Sequence, residues 1–148
     1  EGRMIIDAHV HFTPPELAAS LPAFIAAEPY WGLLMGGSSS PQGWASAERM
    51  IEDMDRAGVA RVILVGEYRR SAEACAARND VGIELGRRFP DRVVPFAVIQ
   101  PKAGVAAIEE LKRCVDLGMR GVGELGPYGQ GYRLDVDPPA AAKDGNNG

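Results

Sequence analysis

The sequence predicts an α/β protein built on parallel strands, because short apolar runs alternate with helical patterns along its 148 residues. Four runs have the length and composition of strands, at 4–8, 62–66, 93–99 and 121–125. The first three are apolar throughout rather than alternating, which is typical of strands buried on both faces of a parallel sheet, although an Asp in the first run and glycines in the fourth weaken the pattern there. One helical pattern separates each consecutive pair of runs, and this order implies parallel strands joined by right-handed helical crossovers.

The helix expected between the first two strands has the clearest limits. Ser46 is a good N-cap, apolar side chains then recur at helical spacing, and Gly58 stands where a left-handed residue ends a helix. Asn79 or Asp80 starts the second pattern, which a proline ends. The third pattern runs over 105–117 and is closed by a glycine.

The spacing of these elements indicates a single domain over 1–148 with two irregular segments. The segment 14–44 is longer than an ordinary connection from strand to helix and is rich in proline and glycine. Because excursions at the carboxyl end of a strand often cover a site, we expect it to lie over that face, with one short helix at 17–27. The stretch 138–148 has no packing pattern, so we expect it to fray.

Composition and charge argue against several classes of function. The net charge is −4 and the isoelectric point is near 5.2, which disfavours a nucleic-acid or anionic-membrane surface. No apolar run approaches the roughly 18 residues of a membrane span. The two cysteines are too few for a disulfide framework, so we expect reduced thiols and a cytoplasmic protein.

The strongest candidate site is the pair His9 and His11, the two histidines of the chain. They stand at the end of the first predicted strand, where residues i and i+2 point to the same face. Two imidazoles side by side suit two positions around one metal ion. Paired histidines also occur in strands for packing or hydrogen bonding, but their place directly after the first strand of a βα series favours a metal site.

Polar side chains also follow the other predicted strands. They are Glu67, Gln100 and Glu124, and the carboxyl ends of parallel strands converge on the binding sites of α/β folds. Glu124 is flanked by small residues that would let a ligand approach, so its carboxylate could complete a metal site or orient a water. A salt-bridged or solvated loop position is an equally good interpretation of Glu124. Glu67 and Gln100 carry a weaker signal for a site role.

These features resemble a known group of proteins. The segment 4–12 resembles the opening strand of the amidohydrolase superfamily. Later segments resemble its amidohydrolase-related branch, which includes aminocarboxymuconate-semialdehyde decarboxylase-like proteins; these segments are 54–59, 62–66, 79–80, 89–93 and 117–125. The resemblance extends over nearly all of 4–137.

The resemblance implies a (β/α)₈ barrel with a divalent metal, usually zinc, at its C-terminal mouth. The HxH pair binds the metal in that family, which implies this role for His9 and His11. In the branch of TatD-type deoxyribonucleases, to which the likeness is weaker, a Glu in a Gly-Glu context after the fourth strand also binds metal. Glu124 would be that residue, and no residue of this chain is assigned as catalytic.

The chain departs from the family in its length. A complete barrel needs about 250 residues, whereas this chain reaches only the fourth predicted strand. The family's further ligands, a His after each of the fifth and sixth strands and an Asp after the eighth, have no counterpart here. We therefore expect the N-terminal half of a barrel, about four βα units, whose open edges favour self-association or pairing with a chain that supplies the missing half.

The function implied by the resemblance is metal-dependent hydrolysis, in which a metal-activated water attacks the carbonyl of a small-molecule substrate. A decarboxylase of the same branch, which is a C–C lyase, is an alternative, and so is a non-catalytic half-barrel. A nuclease-like phosphoesterase of the TatD kind is the weakest hypothesis, because the chain is acidic and has no basic stripe.

Overall fold

The computed structural model describes residues 4–35 and 44–135, in which helices alternate with the strands of one sheet. The strands are β1 (Ile5–Val10), β2 (Val59–Leu64), β3 (Val93–Ala97) and β4 (Gly121–Val122). The helices are α1 (Pro15–Ala19), α2 (Leu21–Ala27), α3 (Pro29–Met35), α4 (Ala47–Ala57), α5 (Ala72–Arg88), α6 (Val105–Asp116) and α7 (Pro127–Gln130). A 3₁₀ turn at Pro101–Ala103 precedes α6.

The sheet has the strand order β1-β2-β3-β4, and every neighbouring pair is parallel. Val62 of β2 lies opposite Asp7 of β1 and Val93 of β3. Phe96 of β3 lies opposite Gly121 of β4. Strands in chain order with helices between them form a curled half-barrel, equivalent to four βα units of a (β/α)₈ barrel. This confirms the predicted fold class.

Two clusters of buried side chains hold the helices on the sheet. The first joins α4 and α5 to β2 and β3, and consists of Phe12, Ala47, Met54, Val62, Leu64, Leu85 and Val93. The second joins α5 and α6 to the end of β3, and consists of Ile83, Ala97, Cys114 and Met119. Apolar burial stabilises a fold by about 25 cal/mol per Å². These clusters therefore fix the strands, and with them the positions of the strand ends where the site lies.

The limits of α4 are those that the sequence predicts. The Ser46 hydroxyl accepts a hydrogen bond from the backbone N–H of Arg49 at 3.2 Å, as an N-cap does. Gly58 has a φ of 69°, the left-handed conformation that ends many helices. The third predicted helix also agrees with α6, and Gly118 after it has a φ of 100°.

The start of α5 was predicted wrongly. The helix begins at Ala72 rather than at residue 79 or 80, and the Ser71 hydroxyl caps it by accepting from the N–H of Ala74 at 3.1 Å. Its first turns are rich in alanine and lack an apolar stripe, so hydrophobic periodicity did not reveal them. Asn79 is not a cap but a buried side chain, whose amide bonds the backbone N–H and C=O of Val98 at 2.8 and 2.9 Å.

Several strand limits also differ from the prediction. The strand predicted at 62–66 begins earlier, because Val59 pairs with Ile5 of β1. The first strand continues to Val10, and the third ends at Ala97. These differences in strand limits follow from pairing between strands, which the apolar content of a run does not show.

The fourth strand, predicted at 121–125, is reduced to Gly121–Val122. Gly123 has a φ of 151°, and its N–H donates to the carbonyl of Ala97 at 2.8 Å. The chain therefore leaves the ladder at a glycine, which tolerates this conformation.

The described part of the excursion after β1 contains three short helices, whereas the sequence predicted one at 17–27. Pro29 opens α3, a position where the missing N–H of proline costs nothing. The indole Nε1–H of Trp31 donates to the carbonyl of Tyr68 at 2.8 Å. This bond fastens α3 to the segment that follows β2.

Two parts of the sequence prediction, 36–43 within the excursion and the tail at 138–148, lie outside the described residues. Within the part of the chain that the structure describes, no helix has both the length and the apolar character needed to cross a bilayer.

The edge strands β1 and β4 expose apolar side chains. Ile5 and Ile6 of β1 are 44% and 52% exposed, and Val122 of β4 is 41% exposed. In a closed barrel each strand pairs on both sides. Over residues 4–35 and 44–135, β1 and β4 each pair on one side only, so both edges are open.

Candidate metal centre

The two histidines lie side by side at the carboxyl end of β1. Their Nε2 atoms are 3.0 Å apart, and their ring centroids are 4.9 Å apart. The backbone N–H of His9 donates to Oδ1 of Asp7 at 3.1 Å. His9 is exposed, whereas His11 is half-buried. The two imidazoles therefore lie on one face of the strand, as the i, i+2 spacing predicts.

Glu124 reaches the same point from the segment after β4. Its Oε1 lies 3.4 Å from Nε2 of His9, and its Oε2 lies 3.7 Å from Nε2 of His11. The backbone N–H of Glu124 donates to the carbonyl of Gly66 at 2.7 Å, and the N–H of Gly66 donates to the carbonyl of Gly123 at 2.9 Å. This pair of bonds ties the ends of β2 and β4 together and carries the carboxylate to the histidines.

The geometry of the three side chains fits a single divalent ion. One donor atom from each of His9, His11 and Glu124 lies within 4.8 Å of the other two. Ligand atoms that are each about 2.0–2.2 Å from one ion lie about 3–4 Å from one another. Two imidazole nitrogens and a carboxylate oxygen form a donor set that several divalent metals accept. Three protein donors also leave coordination positions open, as catalytic metal sites require.

Glu67, which carried only a weak signal in the sequence, contacts the other ring nitrogen of His11. Its Oε1 lies 3.6 Å from Nδ1 of His11. Its Oε2 is paired with Nε of Arg78 and lies 3.6 Å from Nη2 of Arg69. The one sequence signal was its position directly after a strand. Its partner Arg78 is on a helix, and sequence periodicity does not show that this arginine is buried.

The buried charges around Glu67 set its protonation state. Burial alone would raise the pKa of Glu67, but the Arg78 guanidinium bonded to it, together with the nearby His11 ring and Arg69, lowers that pKa to about 2. The carboxylate of Glu67 in turn raises the pKa of His11, while burial of the ring opposes that shift. Glu67 is therefore an anion at neutral pH, placed beside one edge of the His11 ring.

A cavity of about 320 Å³ lies between the excursion and α5, with His11 in its wall. The rest of its lining is mainly apolar and includes Phe12, Leu17, Phe24, Trp31, Met35 and Val81. Glu28, Glu67, Arg69 and Arg78 contribute its charged groups. Its size and lining are those of a site for a small organic molecule.

Gln100 has a structural role instead. Its amide nitrogen donates to the carbonyl of Arg70 at 2.6 Å, and its amide oxygen accepts from the N–H of Lys102 at 3.1 Å. It caps the 3₁₀ turn before α6 and is not part of the donor cluster.

The family model described as amidohydrolase matches residues 6–142 of the chain. A curated relative, the gamma-resorcylate decarboxylase of Rhizobium sp. (strain MTP-10005), is 29% identical over 131 residues, which cover 82% of this chain and 38% of the relative. A 5-carboxyvanillate decarboxylase from Novosphingobium aromaticivorans, solved with bound manganese, has a TM-score of 0.65 at 21% identity, over 82% of this chain and 41% of that chain. A 2,6-dihydroxybenzoate decarboxylase from Rhizobium has a TM-score of 0.57 at 26% identity, over 82% and 38%.

The chain thus spans about two fifths of the length of these relatives. The matched region covers β2, β3, β4 and all but the first residue of β1, together with the cluster of His9, His11 and Glu124 at the carboxyl ends of the strands. Because the family model matches most of its length, the chain belongs to the amidohydrolase family.

Proposed function

We propose that this chain forms part of a metal-dependent decarboxylase, an enzyme that breaks a C–C bond of a small aromatic carboxylic acid. The observation that carries the proposal is the 29% identity to gamma-resorcylate decarboxylase over 131 residues. The 26% identity to 2,6-dihydroxybenzoate decarboxylase points the same way. The sequence alone favoured hydrolysis and kept decarboxylation as the alternative, and these relatives support the alternative better.

In this proposal His9, His11 and Glu124 hold the metal. A bound divalent ion supplies a positive charge that orients substrate oxygens and stabilises negative charge as it develops on them. The two imidazoles and the carboxylate fix the place of that charge at the strand ends. The sequence resemblance favours zinc, but the 5-carboxyvanillate decarboxylase structure contains manganese, so both metals belong in the test.

The cavity beside His11 gives the proposal a place for the substrate. Trp31 and Phe24 in its wall can pack against an aromatic ring and exclude water from it. Loss of carbon dioxide breaks the C–C bond and leaves its electron pair on the ring carbon, which takes up a proton from solvent. Taking the localised charge of the carboxylate out of water raises the energy of the substrate before this step. A mostly apolar cavity with His11 in its wall therefore favours loss of the carboxyl group.

We further propose that the active form needs more strands than this chain supplies. The open edges of β1 and β4 expose Ile5, Ile6 and Val122, which a neighbouring strand would cover. A second copy of this chain, or a chain with the remaining βα units, would close the barrel around the donor cluster.

The test combines metal content with a choice of reactions. The chain is loaded with zinc or manganese, both by itself and together with a chain that supplies the remaining βα units, and each preparation is assayed for decarboxylation of 2,6-dihydroxybenzoate and for hydrolysis of esters and lactones. Decarboxylation should depend on the metal, and metal binding should be lost in the double variant His9→Ala with His11→Ala. Stoichiometric metal in that variant would show that the ligands are wrong. Hydrolysis without decarboxylation would favour the hydrolase, and bound metal with neither activity would favour a non-catalytic half-barrel.

A further inference from the structure

The ring of His11 has one nitrogen in the donor cluster and the other in the protein interior. Its Nε2 faces Nε2 of His9 at 3.0 Å and Oε2 of Glu124 at 3.7 Å. Its Nδ1 is buried and has no hydrogen-bond partner among the described residues, and Oε1 of Glu67 is 3.6 Å away. A neutral imidazole carries one N–H and one lone pair, so the surroundings of Nδ1 decide which nitrogen can bind a metal.

Glu67 is held in place by two arginines whose side chains are largely buried. Arg78 pairs with its Oε2 through Nε, and its Nη2 donates to the carbonyl of Phe12 at 3.4 Å. Arg69 lies 3.6 Å from the same oxygen and donates from Nη1 to the carbonyls of Glu67 and Tyr68 at 2.9 and 3.1 Å. With both arginines on Oε2, the oxygen that faces His11 is Oε1.

The three charged side chains are sequestered from water. The exposed fractions of the Glu67, Arg69 and Arg78 side chains are 10%, 11% and 6%. A buried carboxylate between two guanidinium groups only accepts hydrogen bonds. The group next to Nδ1 of His11 is therefore an acceptor in a fixed position, which favours the proton on Nδ1.

We propose that Glu67 is a positioning residue, which holds His11 as the Nδ1–H tautomer so that the lone pair of Nε2 points into the donor cluster. This inference rests on the proposed role of His9, His11 and Glu124 as metal ligands. A carboxylate that accepts from the second nitrogen of a ligating histidine fixes the ring and increases its basicity. Arg69 and Arg78 act one step further away, because they fix the carboxylate.

A purely structural role for the ion pair is the competing explanation, since Glu67 and Arg78 also tie the end of β2 to α5. A matched control separates the two. Glu110 on α6 is bonded to Arg113 at 2.7 and 2.8 Å and is not in the donor cluster. Glu67→Gln and Glu110→Gln each neutralise a carboxylate held by an arginine, and only the first contacts His11.

The first experiment measures zinc and manganese affinity by competition with a chromophoric chelator. Glu67→Gln should weaken metal binding by about 10–100-fold, the usual effect of losing such a partner, and Glu110→Gln should leave it unchanged. Equal affinities for the wild type and Glu67→Gln would overturn the inference. The variant His11→Ala tests the proposed ligands separately. If metal binding survives in His11→Ala, the ligand assignment of the proposed function is itself wrong.

The second experiment reads the tautomer directly in the wild-type chain and needs no variant to fold. Long-range ¹H–¹⁵N spectra of the zinc-loaded protein should show His11 protonated at Nδ1 and metal-bound at Nε2. In Glu67→Gln the Nδ1–H signal should shift or exchange with the other tautomer. A wild-type spectrum with Nε2 protonated, or with Nδ1 bound to zinc, would overturn the inference whatever the variants do.

Discussion

At the residue scale, the donor cluster combines one local feature with one distant one. His9 and His11 are presented together by the alternation of a single strand. Glu124 joins them only because its backbone is bonded to Gly66 and Gly123 precedes it in a conformation that suits glycine. The carboxylate is the anionic member of the cluster, so it should account for much of the attraction for a divalent cation.

Glu124→Gln should therefore lower metal affinity more than the roughly 10–100-fold that follows from losing a supporting partner. The side chain keeps its shape but loses its charge, so the fold should be retained. Glu16→Gln removes an exposed charge from α1 and serves as the control. Isothermal titration with zinc and manganese measures the change, and unchanged affinity in Glu124→Gln would exclude Glu124 as a ligand.

At the element scale, α5 is tied to the sheet by polar as well as apolar contacts. Arg78 pairs with Glu67 at the end of β2, and Asn79 bonds the backbone of Val98 just beyond β3. Buried groups of this kind contribute to stability only while they are paired, and removing one partner is costly. The stability of the packing of α5 should therefore depend both on pH and on the residue that caps the helix.

The Glu67–Arg78 pair should make the fold sensitive to acid. The pKa of Glu67 is about 2 in the folded chain, below the ordinary value of 4.5, because Arg78 stabilises its anion. A lowered pKa contributes stability that is complete above the unfolded value and is lost as pH falls toward the folded value. The free energy of unfolding in urea should be higher for the wild type than for Glu67→Gln, and this difference should shrink as the pH falls from 4.5 to about 2. A difference in unfolding free energy that does not change with pH would contradict this prediction.

The observed start of α5 gives a separate prediction. Ser71→Ala should destabilise the chain by about 1 kcal/mol, since the hydroxyl that caps the N–H of Ala74 is lost. Ser20→Ala is the control, because Ser20 precedes α2 without a side-chain cap. Thermal or urea unfolding compares the two variants. A helix that began at residue 79 or 80 would make Ser71→Ala neutral.

At the scale of the whole molecule, the half-barrel formed by residues 4–35 and 44–135 has two open edges. Ile6 of β1 and Val122 of β4 are apolar and partly exposed, and edge strands of this kind pair readily with other chains. The described residues place the donor cluster between these edges, so whatever closes the sheet would also enclose the cluster.

We therefore expect the chain to associate in solution rather than to run as a 15.8 kDa monomer. Ile6→Lys puts a charge on the open strand and should shift the distribution toward monomer. Leu134→Lys charges a side chain that is 79% exposed and outside the strands, so it should have no effect. Light scattering coupled to size exclusion gives the masses. A single monomeric species at all concentrations would show that these edges are not interfaces.

Local patterns in the sequence determined a large part of this fold. They predicted four parallel strands in chain order, the limits of α4 between Ser46 and Gly58, and the presentation of His9 and His11 on one face. Each depends on residues within a few positions of one another, through periodicity, capping or strand alternation. The segments that resemble the amidohydrolase superfamily implied the barrel fold, and the family model confirms that the chain belongs to the amidohydrolase family.

Only the tertiary structure decided the rest, because it depends on residues that are distant in the chain. The pairing of Val59 with Ile5 set the start of β2, and a cap rather than an apolar stripe set the start of α5. Glu67 could be placed beside His11 only once α5 was packed on the sheet with Arg78 buried. Glu124 could be brought to the histidines only by the strand order, since side chains from β1 and β4 meet when the sheet curls and not before.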